Sequence, residues 1–357
     1  MKRLFIIPIM LMLLMVSCYQ QAPQMESLAT PTVNSNDIVL IGNYDSYTVS
    51  RSGTSSDPVV VFANGATIKC VLITGSWVVF RDGNISGCNS FGIRVKGANN
   101  VIENNIVHDG VLMNWNGAAC IGGSTNWDSG IRAADATNIT IRGNTVYRVC
   151  GEGISVLRSS SVLVEGNTVY DAFSMNFYVD NSYDVIVRNN YSYNTGNTAF
   201  NRDGQKARCL GVAAEDYGAT WGFRVSNILV ENITCENTRG MGWYAELGGT
   251  PTNVIIRNNK FISVGEPLLN FPAWATLSGN VSVTPTSGVT STPSFTPTIT
   301  LTPNLTVTAT ITPTFTRTPT PSRTPTPTVT FTPTATAPYG NCTVLENEVY
   351  WIMICFK

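Results

Sequence analysis

The chain has 357 residues, a formal net charge of −1 at pH 7 and a charged fraction of only 13%. This composition has no basic excess that would neutralise phosphates, so it excludes a protein that binds nucleic acid through its overall charge. We therefore expect no nucleic-acid partner.

The first 18 residues are typical of an export signal. Lys2 and Arg3 give a basic start, and the run 4–16 is apolar apart from one proline, which is too short for a comfortable membrane span. The run LMVSC, which ends at Cys18, resembles a bacterial lipoprotein cleavage site, and this implies a lipid on Cys18. The alternative is an ordinary signal peptide that contains a cysteine. In both cases we expect an extracellular or cell-surface protein, and a lipid would anchor it to the bacterial membrane.

Eight of the nine cysteines remain when Cys18 is set aside. An even number in an exported protein indicates disulfides, but eight cysteines allow 105 pairings, and the sequence does not choose among them. We predict one pair, Cys342 with Cys355, because both lie beyond the proline-rich segment described below. Some of the other six cysteines can instead be small buried apolar residues.

A regular repeat follows a polar tether predicted at 19–36. The repeat is clearest in 138–204, where Asn144, Asn167 and Asn190 are 23 residues apart. Apolar and tyrosine positions around them recur with the same period. A fixed period of this size is typical of a solenoid, in which each unit buries its apolar face only against its neighbours.

Within one unit the apolar residues alternate, as in Ile139-x-Ile141 and Ile154-x-Val156. Alternation in three short runs predicts three short strands per coil, and no run is long enough for a helix. The recurring asparagine suits a corner, because it bonds the backbone locally and tolerates left-handed dihedral angles. We expect the stacked corner amides to bond one another in a ladder. The predicted fold is an all-β solenoid of about seven or more coils.

The runs ITIRGNTVY, VLVEGNTVY and VIVRNNYSY resemble right-handed parallel β-helix proteins of the pectate-lyase-like superfamily. The opening at 42–61 resembles the first coil of secreted β-helix proteins related to polysaccharide lyases. The resemblance covers residues 37–281, which we expect to form one right-handed parallel β-helix domain. It implies a polysaccharide as the partner.

The corner asparagines predict the positions of the coils and of two insertions. We place the corners at Asn84, Asn105, Asn144, Asn167, Asn190, Asn232 and Asn259. Two intervals between them are long, which predicts insertions at about 110–128 and 204–221. Insertions in a solenoid become loops on one face, often the binding face.

Composition changes sharply after the repeats. Residues 282–338 hold most of the 18 prolines, and their only charged residues are Arg317 and Arg323. Such frequent proline prevents helices and sheet ladders, so we predict an extended linker. The tail at 339–357 is too short for a core of its own. It either closes a disulfide hairpin or is the remnant of a truncated module.

Candidate site residues come from the strand after the second corner, where alternate side chains point to solvent and stack from coil to coil. The early coils place Arg94, Lys96 and Arg132 there. The later coils place Tyr178, Asp180, Asn201, Asp203, Tyr244 and Glu246 there. Arg202 falls in an inward column, and because a buried unpaired guanidinium is costly, we expect a bulge that turns it outward.

These side chains are predicted to line a carbohydrate groove. The predicted substrate-binding residues are Arg94, Lys96, Arg132, Trp127, Tyr217 and Trp221. The aromatic residues among them lie in the insertions, and their rings suit stacking on sugars. The alternative is that these rings pack the loops onto the coils.

The catalytic hypothesis uses the later coils. Asp180, Asp203 and Glu246 would hold Ca²⁺ or serve as an acid/base pair in glycoside hydrolysis. A lyase acting on a uronic acid needs its carboxylate neutralised, a base for the C5 proton and an acid for the leaving oxygen. Tyr178, Arg202 and Tyr244 would supply the base, the acid and part of the neutralisation.

The chain lacks the G-H-G run of polygalacturonase-like proteins, the D-P-H run of alginate epimerase-like modules and the W-x-D-H run of many pectate lyases. Its sole histidine, His108, lies beside the first insertion. Two hypotheses follow. The first is a surface-anchored, monomeric protein that binds an acidic polysaccharide, with cleavage by a lyase or hydrolase reaction as its enzymatic form. The second is a non-enzymatic adhesin or structural stalk protein.

Overall fold

The computed structural model describes residues 34–122, 127–216 and 222–284, together with the backbone of two later strands. The export signal with Cys18, most of the tether and most of the linker lie outside the described residues. The predicted start of the linker at 282 was wrong, because the last strand of the β-helix runs through Val281–Val283. Within the described ranges the only helical segments are two 3₁₀ turns, Leu112–Asn114 and Thr198–Phe200. Neither of these turns could cross a bilayer.

After the first two strands, each coil contributes three strands, and strands three positions apart in the chain pair in parallel. The strands therefore stack into the three faces of a right-handed parallel β-helix, within a compact unit that spans Asn34–Ser291. The first two strands are long and pair with each other along more than one face. They are β1 (Ile38–Val49) and β2 (Val59–Ile73).

We number the three faces in chain order. Face 1 consists of β3 (Val78–Arg81), β6 (Ala98–Glu103), β9 (Thr137–Arg142), β12 (Ser160–Glu165), β15 (Tyr183–Arg188), β18 (Ser226–Glu231), β21 (Thr252–Arg257) and β24 (Ala275–Ser278). Face 2 consists of β4 (Asn84–Ser86), β7 (Ile106–Gly110), β10 (Thr145–Val149), β13 (Thr168–Ala172), β16 (Tyr191–Tyr193), β19 (Thr234–Glu236), β22 (Lys260–Ile262) and β25 (Val281–Val283). Face 3 consists of β5 (Ile93–Val95), β8 (Ser129–Ala134), β11 (Glu152–Leu157), β14 (Met175–Asp180), β17 (Arg208–Ala214), β20 (Arg239–Ala245) and β23 (Leu268–Leu269).

The asparagine ladder is confirmed at the corner between faces 1 and 2. The Asn144 side-chain amide donates to Asn167 Oδ1 at 3.0 Å, and the Asn167 amide donates to Asn190 Oδ1 at 3.0 Å. The Asn167 amide also donates to the Ile141 carbonyl at 2.9 Å, so it satisfies backbone groups inside the coil. Because these groups are buried, the ladder replaces hydrogen bonds that water would otherwise make.

Two of the predicted corner asparagines were wrong. Gly83, not Asn84, occupies the corner of its coil, and its N–H donates to Asn105 Oδ1 at 2.9 Å. Asn84 is instead exposed at the start of β4. Ile233 fills the corner predicted for Asn232, and its N–H donates to Asn259 Oδ1 at 2.9 Å. The spacing of asparagines misassigned both corners, because each true corner residue has an asparagine directly beside it in the sequence.

A ladder of alternating charges runs along the outside of face 1. One register column holds Arg81, Glu103, Arg142, Glu165, Arg188, Glu231 and Arg257 in successive coils. Arg142 contacts Glu103 at 2.6 Å and Arg257 contacts Glu231 at 2.7 Å. Alternation gives every carboxylate a cation above or below it, whereas like charges in one column would repel.

Face 2 carries a stack of rings. His108 lies parallel to Tyr147 with ring centroids 5.0 Å apart, and Tyr147, Tyr170 and Tyr193 continue the stack at 4.8 and 4.4 Å. The Nδ1 atom of His108 lies 2.6 Å from Asp109 Oδ2. The rings lie face to face, so the stack offers mainly edges to the surface.

Three disulfides join described cysteines. They are Cys70–Cys88, Cys120–Cys150 and Cys209–Cys235. In a separate unit, β26 (Cys342–Glu346) and β27 (Trp351–Cys355) form an antiparallel hairpin whose register places Cys342 opposite Cys355. The disulfide predicted there concerns side chains outside those described, and it stays a prediction.

The insertions interrupt the stack beside face 3. The first lies between β7 and β8, as predicted. The second was misplaced, because the chain makes one insertion before β17, at 194–207, and another after it, at 215–225. Leu210, and not Phe200, fills the column of Phe177. Phe200 instead stacks on Trp115 of the first insertion, with centroids 5.7 Å apart.

Candidate functional site

The insertions cover much of the outer side of face 3. Strand alternation makes the residues there outward-facing, yet Ser155, Tyr178 and Asp180 are buried. The column predicted to continue from Tyr178 into Asn201 continues into Gly211 instead, and Asp180 is followed by Ala213 and then Tyr244. The predicted positions of Asn201 and Asp203 on a strand of face 3 were therefore wrong, because both residues precede β17.

A paired ionic cluster lies under the first insertion. Arg94 binds the Asp128 carboxylate, and Arg132 contacts Asp128 at 3.5 Å and Glu152 at 2.8 Å. Ser129 donates to the same Glu152 oxygen at 2.9 Å. Burial raises the pKa of Glu152, and Arg132 opposes that rise. Two arginines meet two carboxylates, so Arg94 and Arg132 hold the insertion against face 3.

Two of the predicted catalytic carboxylates hold the insertion after β17. Asp180 Oδ1 accepts the Glu215 N–H at 3.1 Å, and Glu246 Oε2 accepts the Asp216 N–H at 2.9 Å. The Asn181 side chain donates to the Glu215 carbonyl at 2.7 Å. The base of this loop is therefore clamped from the coil before β17 and from the coil after it.

Arg202 and Asp203 lie in a tight hairpin before β17. Arg202 and Gln205 pair their backbones, and between them Asp203 and Gly204 both have positive φ, which suits a two-residue turn. Arg202 is turned outward, as expected, although by this hairpin and not by a bulge in a strand. Its guanidinium lies 4.4 Å from the Trp127 ring centre and donates to Ser174 Oγ at 3.2 Å.

The aromatic residues of the first insertion pack against the coils. Trp127 stacks on Phe173 with centroids 6.0 Å apart, and it also contacts the core, as does Trp115. For these two rings the structure favours packing over an open sugar platform. Tyr217 and Trp221 lie outside the described residues.

Three arginines converge near Tyr244 at the later coils of face 3. Arg208 and Arg239 are register neighbours, and the Tyr244 ring centre lies 5.8 Å from the Arg208 guanidinium carbon. The pKa of Tyr244 is raised, because the effect of burial outweighs the lowering by Arg208, Arg239 and Arg202. We call Arg202, Arg208, Arg239 and Tyr244 the arginine cluster.

Arg208 is the unusual member of the arginine cluster. It is only 3% exposed, and its Nε and Nη1 have no hydrogen-bond partner. Desolvation lowers its pKa, and the Tyr244 phenol and the Glu266 carboxylate oppose this lowering, although no described carboxylate forms an ion pair with it. A buried cation without a paired anion is costly, and functional sites are the usual place for it.

The family described as right handed beta helix region matches residues 69–209 and 129–300, which is more than half of the chain. The chain belongs to this family. A comparison with curated proteins found no match.

Solved structures similar to this β-helix protein include three carbohydrate-active proteins. The Azotobacter vinelandii mannuronan C-5 epimerase AlgE6 A-module has a TM-score of 0.47 and 15% sequence identity, and the match covers 67% of this chain and 65% of that one. Pectate lyase Pel9A has a TM-score of 0.44 and 14% identity, with 68% of this chain and 70% of that one covered. The alginate lyase from Paenibacillus sp. str. FPU-7 has a TM-score of 0.40 and 17% identity, with 67% of this chain and 92% of that one covered. This chain therefore spans less than two thirds of the AlgE6 module. Similarity at this level concerns the fold and says nothing about activity.

The β-helix does not assemble the predicted Ca²⁺ ligands. Throughout the part of the chain that the structure describes, no three His, Cys, Asp or Glu side chains come together to hold a metal ion. Asp180 is buried, Asp203 is at an exposed hairpin tip, and Glu246 holds a loop amide. His108 stands on face 2, away from this site.

Sequence reasoning missed Arg208 and Arg239, although a signal was present. The segments Arg208-Cys-Leu-Gly-Val and Arg239-Gly-Met-Gly-Trp share the pattern Arg-x-apolar-Gly-apolar. Aligning them would have placed both arginines two positions before an inward residue, in one column. Glu152 and Asp128 were missed because the insertion that buries them has no repeat.

Proposed function

We propose that this β-helix protein binds an acidic polysaccharide at the arginine cluster and cleaves it by β-elimination. The observation that carries the proposal is Arg208, a buried guanidinium with two unpaired nitrogen atoms beside Tyr244. Cationic groups without a carboxylate partner suit an anionic ligand, and the carboxylates of uronic acids are such ligands.

The exposed side of the cluster offers the entry point for that ligand. Arg202 is partly exposed, with 46% of its side chain accessible, and Arg239 is half-buried. A sugar carboxylate held by these two guanidinium groups loses much of its negative charge, which acidifies the C5 proton. The buried Arg208 adds positive potential at the Tyr244 phenol.

Tyr244 is the group we assign to proton transfer. Burial outweighs the three arginines and leaves the pKa of Tyr244 raised, so the neutral phenol would pass its own proton to the leaving oxygen as it accepts the C5 proton. Loss of that proton forms the C4–C5 double bond and breaks the C4–O glycosidic bond, and the leaving oxygen takes a proton. Elimination fits better than hydrolysis here, because Asp180 and Glu246 already accept loop amides.

The test is a panel of uronic-acid polymers in which unsaturated product absorbance and new reducing ends are read together. We expect both signals to rise, and expect Tyr244→Phe to lose about 10²-fold or more in turnover. Tyr147→Phe on face 2 is the matched control. Reducing ends without unsaturated product would overturn elimination in favour of hydrolysis.

The second candidate is a non-enzymatic cell-surface binder. It is favoured by the engagement of Glu152, Asp180 and Glu246 in structural contacts, which leaves Tyr244 as the main proton-transfer group near the cluster. Binding of the polymers with neither product signal would support it. In either form we propose a surface location through a lipid on Cys18.

A further inference from the structure

A surface groove of about 590 Å³ lies at the corner where face 3 turns into face 1. Its lining comes from six successive coils, so it runs along the axis of the stack. It is separate from the arginine cluster, whose members are absent from its lining. The lining is mostly small residues and hydroxyl groups, such as Ser76, Ala98, Thr137 and Ser160.

One register column supplies the charges of this groove. Ala98, Thr137, Ser160, Tyr183 and Ser226 are paired neighbours in successive coils of face 1. The residues two positions before them are Lys96, Asp135, Arg158, Asn181 and Arg224. A cation therefore recurs in every second coil, which corresponds to a repeat of roughly 10 Å along the axis.

The two end cations are available to a ligand. Lys96 and Arg224 are both exposed, and neither forms an ion pair with any residue in the described ranges. Between them, Arg158 binds Asp135 with two hydrogen bonds of 2.7 Å. The groove thus carries three cations against one carboxylate, in a chain whose net charge is −1.

We propose that this groove holds an extended anionic polysaccharide parallel to the stack axis, with its carboxylates on Lys96 and Arg224, the two cations that no described carboxylate pairs. Successive coils are about 4.8 Å apart, and one sugar unit in an extended chain advances by a similar length. In an extended uronan with successive sugars facing opposite ways, carboxylates on one side recur every second sugar, which matches the cation repeat. Tyr183, 39% exposed in the same lining, offers a ring for stacking on a sugar.

The inference goes beyond the proposed function, because this groove binds a chain whether or not the arginine cluster cleaves it. Calorimetric titration of the full chain with polygalacturonate is the test, and fully methyl-esterified polygalacturonate is the uncharged probe. We expect the double variant Lys96→Ala/Arg224→Ala to bind polygalacturonate roughly tenfold more weakly. We expect the methyl ester to bind the native chain no more tightly than polygalacturonate binds the variant.

The matched control is Lys69→Ala/Lys260→Ala, which removes two exposed lysines outside the groove. Equal weakening by both double variants would overturn the inference in favour of general charge attraction. Unchanged binding by the groove variant, or equally tight binding of duplex DNA, would also overturn it. Tyr244→Phe separates the two proposals, because it should lose turnover and keep groove binding.

Discussion

Asp180 and Glu246, two coils apart on face 3, accept hydrogen bonds from adjacent backbone amides of one loop. The Glu215 N–H donates to Asp180 and the Asp216 N–H donates to Glu246. Their shared contact explains why two acids appear at the positions where a catalytic pair was predicted. The acids hold the base of the loop after β17.

Asp180→Ala should therefore destabilise the fold. Asp180 is fully buried, and its removal leaves the Glu215 amide without its partner, at a cost of about 1–3 kcal/mol in the free energy of unfolding. Glu246 is exposed, so Glu246→Ala should cost less than about 0.5 kcal/mol. Urea denaturation of both variants measures the difference. Equal losses of unfolding free energy in the two variants would contradict the role of buried Asp180 in holding the loop.

Asn167→Leu should break the asparagine ladder. It removes the donor to Asn190 and the acceptor for Asn144, and each buried group left unpaired costs about 1–3 kcal/mol. Thermal unfolding followed by circular dichroism measures the loss. Asn43→Leu, at an exposed position of β1, is the control and should leave the midpoint nearly unchanged. A midpoint unaltered by Asn167→Leu would argue against the ladder as a source of stability.

The charge ladder should make stability depend on acid pH. Arg188 hydrogen-bonds Glu165 at 2.9 Å and lowers the pKa of that carboxyl from its ordinary value of 4.5. A group with a lowered folded pKa stabilises the fold above its unfolded pKa, and this contribution is lost as the pH falls through the folded pKa. The free energy of unfolding, measured by urea denaturation between about pH 5 and pH 3, should fall more steeply for the native chain than for Glu165→Gln. Parallel curves of unfolding free energy against pH for the two proteins would show that the Arg188–Glu165 pair adds nothing to stability.

The Cys120–Cys150 disulfide should stabilise the first insertion. It closes a loop with a sequence separation of 30, for which loop entropy predicts about 3–4 kcal/mol. We expect Cys120→Ser/Cys150→Ser to lower the unfolding midpoint and to open 111–128 to limited proteolysis. The native chain in reductant provides the comparison. Proteolysis at the same rate in the variant and the native chain would contradict this role.

Cys18→Ala tests the lipid anchor. If Cys18 carries the lipid, the variant should move from the membrane fraction to the soluble fraction, because a lipid chain supplies the membrane affinity. Fractionation followed by immunoblotting measures the distribution. A variant that stays with the membrane would rule out anchoring at this residue.

The repeat in the sequence determined the coil, its three strands and the asparagine ladder. These features are local, because each coil meets the same neighbours in the same register, so a period of 23 residues carries the contact pattern. The alternating charges of Arg142, Glu165 and Arg188 followed that same period and were equally readable. The identity of the corner residue was less secure, as Asn84 and Asn232 show.

Only the tertiary structure decided which side chains on the outer side of face 3 are exposed and which are covered. Strand alternation predicts that Asp180 points outward, but it cannot state whether a loop will cover it. Insertions have no repeat, so the sequence did not show that the coil resumes at Arg208 instead of Phe200. The environment of a strand position is set by residues distant in sequence. Here those residues bind two of the predicted catalytic acids to a loop and leave Arg208 buried without an ion-paired carboxylate.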